Sequence, residues 1–273
     1  MQDKFLNGQY GIEFEMIKKV SERIGNGKYF THCGDGSISG CDSGEHGIEY
    51  KTRILDGTKW HVVKRFLNRC KTAVVNRSTG LHIHFGIHDR LDHDERVVTL
   101  DRFELLVQFI VRHEDLIFSL VPKSRRNNKY CKSMKPIVTG ICARCNGTGD
   151  CERDSDEDCD CDCDCTCNDS ILEKWTGSRY YWVNIQNVPQ HHNAHIEVRL
   201  HSGTLSYIKT KYWHDLMYKF LQYGYYHPYM HFKSLHDMLD GLDIDKVQQL
   251  HWYQRRDMFN SGQVVSNSDT EIE

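Results

Sequence analysis

Polar and apolar positions alternate in five short stretches of the chain. Between Gln9 and Met16, Ile12, Phe14 and Met16 fall on one side of an extended strand, with Glu13 and Glu15 on the other. Leu81, Ile83 and Phe85 likewise oppose His82 and His84, and Ile196, Val198 and Leu200 oppose Glu197 and Arg199. Tyr181–Gln186 repeats the pattern with Asn184 and Gln186 as its polar members, and Gly47–Lys51 is a shorter version carrying Glu49 and Lys51. Helical spacing lies between these strands. Trp60, Val63, Leu67, Cys70 and Val74 recur every three to four residues, as do Phe103, Val107, Ile110, Val111, Ile117 and Phe118. A third helix fits Ile208–Leu221, with Tyr212, Trp213, Leu216, Met217 and Phe220 inward, and a fourth fits Phe232–Leu239.

Half-buried alternation favours an antiparallel sheet, because parallel strands covered on both faces read as continuous apolar runs. The expected fold class is therefore α+β: a mainly antiparallel sheet, helices on its outer face, a polar inner face. Residues 1–140 and 171–259 form one domain in this reading. Residues 141–170 are an insertion almost free of large apolar side chains, and 260–273 read as a disordered tail.

Composition changes the picture in two places. The net charge of −3 is unevenly distributed: residues 150–169 carry ten acidic side chains against one arginine, which leaves a mildly basic body. That body suits a phosphate-bearing ligand, but its excess is too dispersed for the basic stripe of a nucleic-acid binder. Of 12 cysteines, eight lie between Cys142 and Cys167. No apolar run approaches the ~18 residues of a spanning helix, and the first residues lack a secretory pattern. The expectation is a cytoplasmic protein with reduced thiols and no membrane partner, in which clustered cysteines bind metal. The many aromatic residues near the third helix, Tyr212 to Tyr229, read as core and rim packing.

A merely wet sheet face would display Lys, Thr, Ser and Gln. This face instead gathers glutamates and histidines, and crowded carboxylates raise one another's pKa unless a cation neutralises them. Mg²⁺ takes hard oxygen ligands and commonly shares its shell with phosphates. Arg199, two residues from Glu197, can then grip a phosphate with its planar fork. Asp35, in the turn Gly34–Asp35–Gly36–Ser37, lies between two glutamate-bearing strands.

Five segments in order, Gly11–Glu15, Asp35–Ile38, Gly47–Tyr50, Thr79–Gly86 and His195–Leu205, resemble the motif series of the amidoligase family, which is similar to glutamate-cysteine ligase and glutamine synthetase. Pro122–Arg125, Tyr130–Cys131 and Arg179–Tyr180 fit between them. The resemblance implies a funnel-like sheet of glutamine synthetase type that binds ATP and Mg²⁺ on its concave face. It implies amide formation between a small-molecule or peptide carboxylate and an amine, through an acyl phosphate. It places metal at Glu13, Glu15, Asp35, Glu49, His84 and Glu197, and phosphate at Arg199. Arg179 becomes a second charge-stabilising arginine, Asn184 orients nucleotide or substrate, His82 braces its neighbour, and Lys51 is available to phosphates. A metal-dependent hydrolase and a non-catalytic binding module are the alternative readings.

The insertion departs from the family pattern. Cys142-x-x-Cys145 resembles half of the zinc-binding repeat of J-domain chaperones, and Cys165 with Cys167 are candidates to complete a structural Zn²⁺ site. Its acidity suits a basic protein partner.

Overall fold

The computed structural model describes residues 5–21, 27–87, 91–92, 95–96, 100–138, 178–188 and 194–261. The 141–170 insertion, with Cys142, Cys145, Cys165 and Cys167, and the last twelve residues lie outside them. The strands are β1 (Leu6–Lys19), β2 (Phe30–Gly34), β3 (Glu45–Thr52), β4 (Leu55–Asp56), β5 (Gly80–Ile87), β6 (Leu91–Asp92), β7 (Glu95–Arg96), β8 (Val183–Asn184) and β9 (His195–Ser202). The helices are α1 (Trp60–Arg69), α2 (Leu100–Phe118), two single turns α3 (Lys123–Arg126) and α4 (Lys135–Val138), then α5 (Tyr207–Tyr226), α6 (Leu235–Gly241) and α7 (Lys246–Asn260). The main sheet has the order β2-β3-β1-β5-β9-β8, with β4 against the start of β1, and β6-β7 is a separate hairpin. Every pairing between these strands is antiparallel, as the alternation predicts.

Alternation also decides what the helices cover. Tyr10 stacks on Trp60 of α1 at 5.0 Å and meets His214 of α5 at 4.7 Å, while Phe14 packs on Phe66 and Phe85 on Tyr218. Ile12, Phe14, Met16, Leu81, Ile83, Phe85, Ile196 and Val198 are all buried on this side. Each large apolar side chain so buried contributes about 1.5–3 kcal/mol, which fixes strand register because a one-residue slip would turn the glutamates into the core.

Several expected boundaries move. Val74 leaves the helical spacing: α1 stops at Arg69, and Val74 instead pairs antiparallel with Ile17 of β1. The expected strand over 181–186 shrinks to Val183–Asn184, and the expected tail loses its first residue to α7. Just before β8 the chain makes a parallel bridge to the segment after α3: Lys132 N–H donates to Tyr180 O at 2.7 Å, and Trp182 N–H to Lys132 O at 3.0 Å. Glu114 of α2 anchors the same region, accepting from Met134 N–H at 2.7 Å and from the Trp182 indole at 2.9 Å.

Candidate active site

The polar face of the sheet forms the floor of an open cavity of about 610 Å³. Register brings its residues together from five strands. Glu15 stands opposite Glu49, Glu13 lies between Lys51 and His82, and His84 faces Glu197, which in turn faces Asn184. Asp35 joins from the turn after β2, and Arg179 with Tyr180 from the segment before β8. All the residues expected from sequence within the described regions line this one cavity: Glu13, Glu15, Asp35, Glu49, Lys51, His84, Arg179, Asn184, Glu197 and Arg199.

His82 occupies the centre. Its Nδ1 lies 3.2 Å from Glu13 Oε2 and 3.6 Å from Glu197 Oε1, while Nε2 lies 3.3 Å from Glu15 Oε1. Two sets of potential ligand atoms, from Glu13, His82 and Glu197 and from Glu15, Glu49 and His82, each fall within 4.8 Å of one another. His82, expected only to brace its neighbour, belongs to both sets, while His84 and Asp35 line the same cavity beside them. His84 Nε2 is buried 3.3 Å from Glu13 Oε1. Asp35 directs one oxygen to Ser37 N–H at 2.8 Å.

The remaining polar groups fix these carboxylates in place. Asn184 donates to Glu197 Oε2 at 2.8 Å while its own oxygen accepts from Gln186 N–H at 3.0 Å, so its amide is committed to holding Glu197. Arg199 also pairs with Glu197 and donates from Nε to Tyr130 O at 3.2 Å. Glu15 Oε2 accepts from Gly80 N–H at 2.6 Å. Lys51 Nζ bridges Glu13 Oε1 at 3.0 Å and Glu49 Oε2 at 2.7 Å. Arg179 lies over the Tyr180 ring and donates to its hydroxyl at 3.1 Å.

These contacts set opposing protonation tendencies. Burial raises the Glu13 carboxyl, but the His82 hydrogen bond and the adjacent His84 outweigh it and hold the group well below the usual carboxylate range. Glu197 is likewise lowered, its burial overcome by His82, His84 and Arg199. Glu49 is raised, first by burial and then by the charge of Glu13, against the pull of Lys51. Burial depresses His84, yet Glu13 and Glu197 raise it overall. Glu13 and Glu197 therefore offer ionised carboxylate oxygens, the hard donors that suit a divalent cation.

A β-bulge shapes the rim. Leu81 pairs with His201 but Ile83 with Val198, so Arg199 and Leu200 together oppose His82. The two carbonyls released there are taken by Arg125, whose Nη2 donates to Arg199 O at 2.6 Å and Nε to Leu200 O at 3.2 Å. Arg125 itself is buried, at 3% exposure. Sequence reasoning missed Ser78 and Asn187 on the cavity wall. Their neighbours carry no periodic pattern, and only the fold brings them here.

An open antiparallel sheet thus brings carboxylates, histidines and arginines together on one cavity. The chain belongs to the family described as "Putative amidoligase enzyme", which matches residues 18–221. The match begins after Glu13 and Glu15, so those two rest on geometry. Membership supports an enzyme of ligase type. A bifunctional glutathione synthetase from Pasteurella multocida is similar in structure, with 12% identity and a TM-score of 0.44, over 96% of this chain and 48% of that one. The chain thus spans about half the length of that synthetase. A search of curated proteins found no match. Among the described residues, no helix is long and apolar enough to cross a membrane.

Proposed function

We propose that this protein is an ATP- and Mg²⁺-dependent ligase that joins a carboxylate to an amine, of a small molecule or a peptide, through an acyl phosphate. The observation that carries the reading is the convergence of Glu13, Glu15, Glu49, Glu197 and His82 on the cavity that Arg199 and Arg179 also line. Glu13, His82 and Glu197 would hold one cation, and Glu15, Glu49 and His82 another, with His84 and Asp35 beside them. Such ions supply charge neutralisation for a transferring phosphoryl group.

The chain's own groups do the rest. Arg199 and Arg179 present guanidinium donors to phosphoryl oxygens, where preorganised donors stabilise developing charge. Asn184 keeps Glu197 oriented. In the first step a substrate carboxylate oxygen bonds to the γ-phosphorus of ATP and ADP leaves; in the second the amine nitrogen bonds to the acyl carbon, phosphate leaves and the amine releases a proton.

Calorimetry of ATP binding with and without Mg²⁺ tests this, on the parent protein and on Glu13→Gln and Glu197→Gln variants shown to be folded by circular dichroism. The expected result is binding that needs Mg²⁺ and weakens at least about tenfold in both variants, the loss of one charge-assisted ligand. A folded parent that ignores ATP at every metal concentration overturns the ligase reading.

A further inference from the structure

The four cationic side chains lining the cavity are engaged differently. Arg125 is buried on the carbonyls of the bulge, Arg199 is held by Glu197 and Tyr130 O, and Arg179 lies on Tyr180. Lys51 alone among these four bridges two carboxylates, and they come from different potential cation sets: Glu13 from one, Glu49 from the other. Register explains the position, since Lys51 is the cross-strand partner of Glu13 and shares a face with Glu49 two residues away. Its side chain is 43% exposed, against 15% for Arg199, so the ammonium has a path to water and a flexible stem to follow it.

We propose that Lys51 is a resident stand-in for a divalent cation: its ammonium holds the Glu13 and Glu49 carboxylates together until an ion enters, and is then displaced toward the anionic ligand in the cavity. The inference rests on the metal-binding part of the function above. An ammonium 2.7–3.0 Å from two carboxylate oxygens occupies the approach that an ion to those oxygens would use. Two cations crowded at such a distance repel, so one must leave. Ion entry would then release a positive charge at the place where a phosphate or carboxylate is to be held, which orders binding as cation first and anion second.

The test measures Mn²⁺ binding by calorimetry to the full chain, to Lys51→Met and to Lys51→Gln, with Glu197→Gln reporting binding elsewhere in the protein. In parallel, an amine-acetylating reagent followed by peptide mass spectrometry reads the reactivity of Lys51 against Lys123 as Mn²⁺ is added. The proposal expects both Lys51 variants to bind Mn²⁺ at least about tenfold more tightly, as removal of one competing charge implies. It also expects Lys51 acetylation to rise severalfold on Mn²⁺ addition while Lys123 stays constant. Equal or weaker Mn²⁺ binding by the variants overturns the proposal while leaving the ligase reading intact. Tighter binding with no change in Lys51 reactivity also overturns it, because Lys51 would then repel the ion without moving. Failure of parent and variants alike to bind Mn²⁺ removes the metal reading itself.

Discussion

A buried guanidinium is tolerable only when its N–H groups find acceptors, and Arg125 finds them in two backbone carbonyls that the bulge has removed from the β5–β9 ladder. Each partner solves the other's problem. Truncation in Arg125→Met would orphan both carbonyls and is expected to cost about 3 kcal/mol, while Arg125→Lys, able to meet one carbonyl at a time, recovers part of it. Urea unfolding midpoints of the three proteins check this, and equal midpoints would remove Arg125 from any role in holding the bulge. At the same scale, Asn184→Ala frees Glu197 Oε2 from the amide that holds it. It is expected to weaken Mg²⁺-dependent ATP binding several-fold with a loss of about 1 kcal/mol in stability, which calorimetry and thermal melting separate.

The elements meet where side chains are missing. At Gly47 a Cβ would lie 2.6 Å from Asp35 O and 2.6 Å from Ile38 Cβ, so only glycine lets the Asp35 turn lie on β3. Gly47→Ala is expected to destabilise by roughly 1–3 kcal/mol and to shift the Asp35 turn, measured by melting and by amide chemical shifts of residues 35–39. Most of the sheet was legible because β1, β5 and β9 bury one face against helices and display the other, and period two records that division directly. Glu13, Glu15, Glu49 and Glu197 were legible for the same reason, whereas Asp35 was read from its turn and from the family resemblance. What period two could not record is the bulge. Continued alternation would put His201 on the polar face with Glu197 and Arg199, but the extra residue turns it outward, 5.1 Å from the Trp213 ring. Helix α7 escaped notice because its buried side uses Gln249, Trp252 and Arg255, not a row of aliphatic residues. Its one clear signal is Asp245, which caps it by accepting from Val247 N–H and Gln248 N–H, both at 3.0 Å. Strand β2, edge-lying and exposed beyond Phe30, shows no apolar face to detect.

For the molecule as a whole, four buried histidines contribute a shared sensitivity to acid. His113 of α2 donates from Nδ1 to Phe109 O at 2.8 Å and accepts at Nε2 from Phe232 N–H at 2.9 Å, and burial lowers it to about 4. His251 is lowered to about 4, and His201 and His214 are lowered too, in each case first by burial. These groups stay neutral in the folded protein while the unfolded chain takes up protons below about pH 6.5. Their contribution to stability is therefore full above that pH and falls as pH drops toward 4, by about 3 kcal/mol for His113 alone. Chemical denaturation at a series of pH values should show this slope, and His113→Gln should flatten it; a slope unchanged by that substitution would place the acid sensitivity elsewhere. The parallel bridge between Lys132 and Tyr181 has a consequence of another kind. It returns the chain to its point of departure, so the sheet is indifferent to the length of what is spliced between residues 138 and 178. Loop closure depends only weakly on that length. What is spliced between them can thus be shortened or rewritten at little cost to the strand pairing on either side.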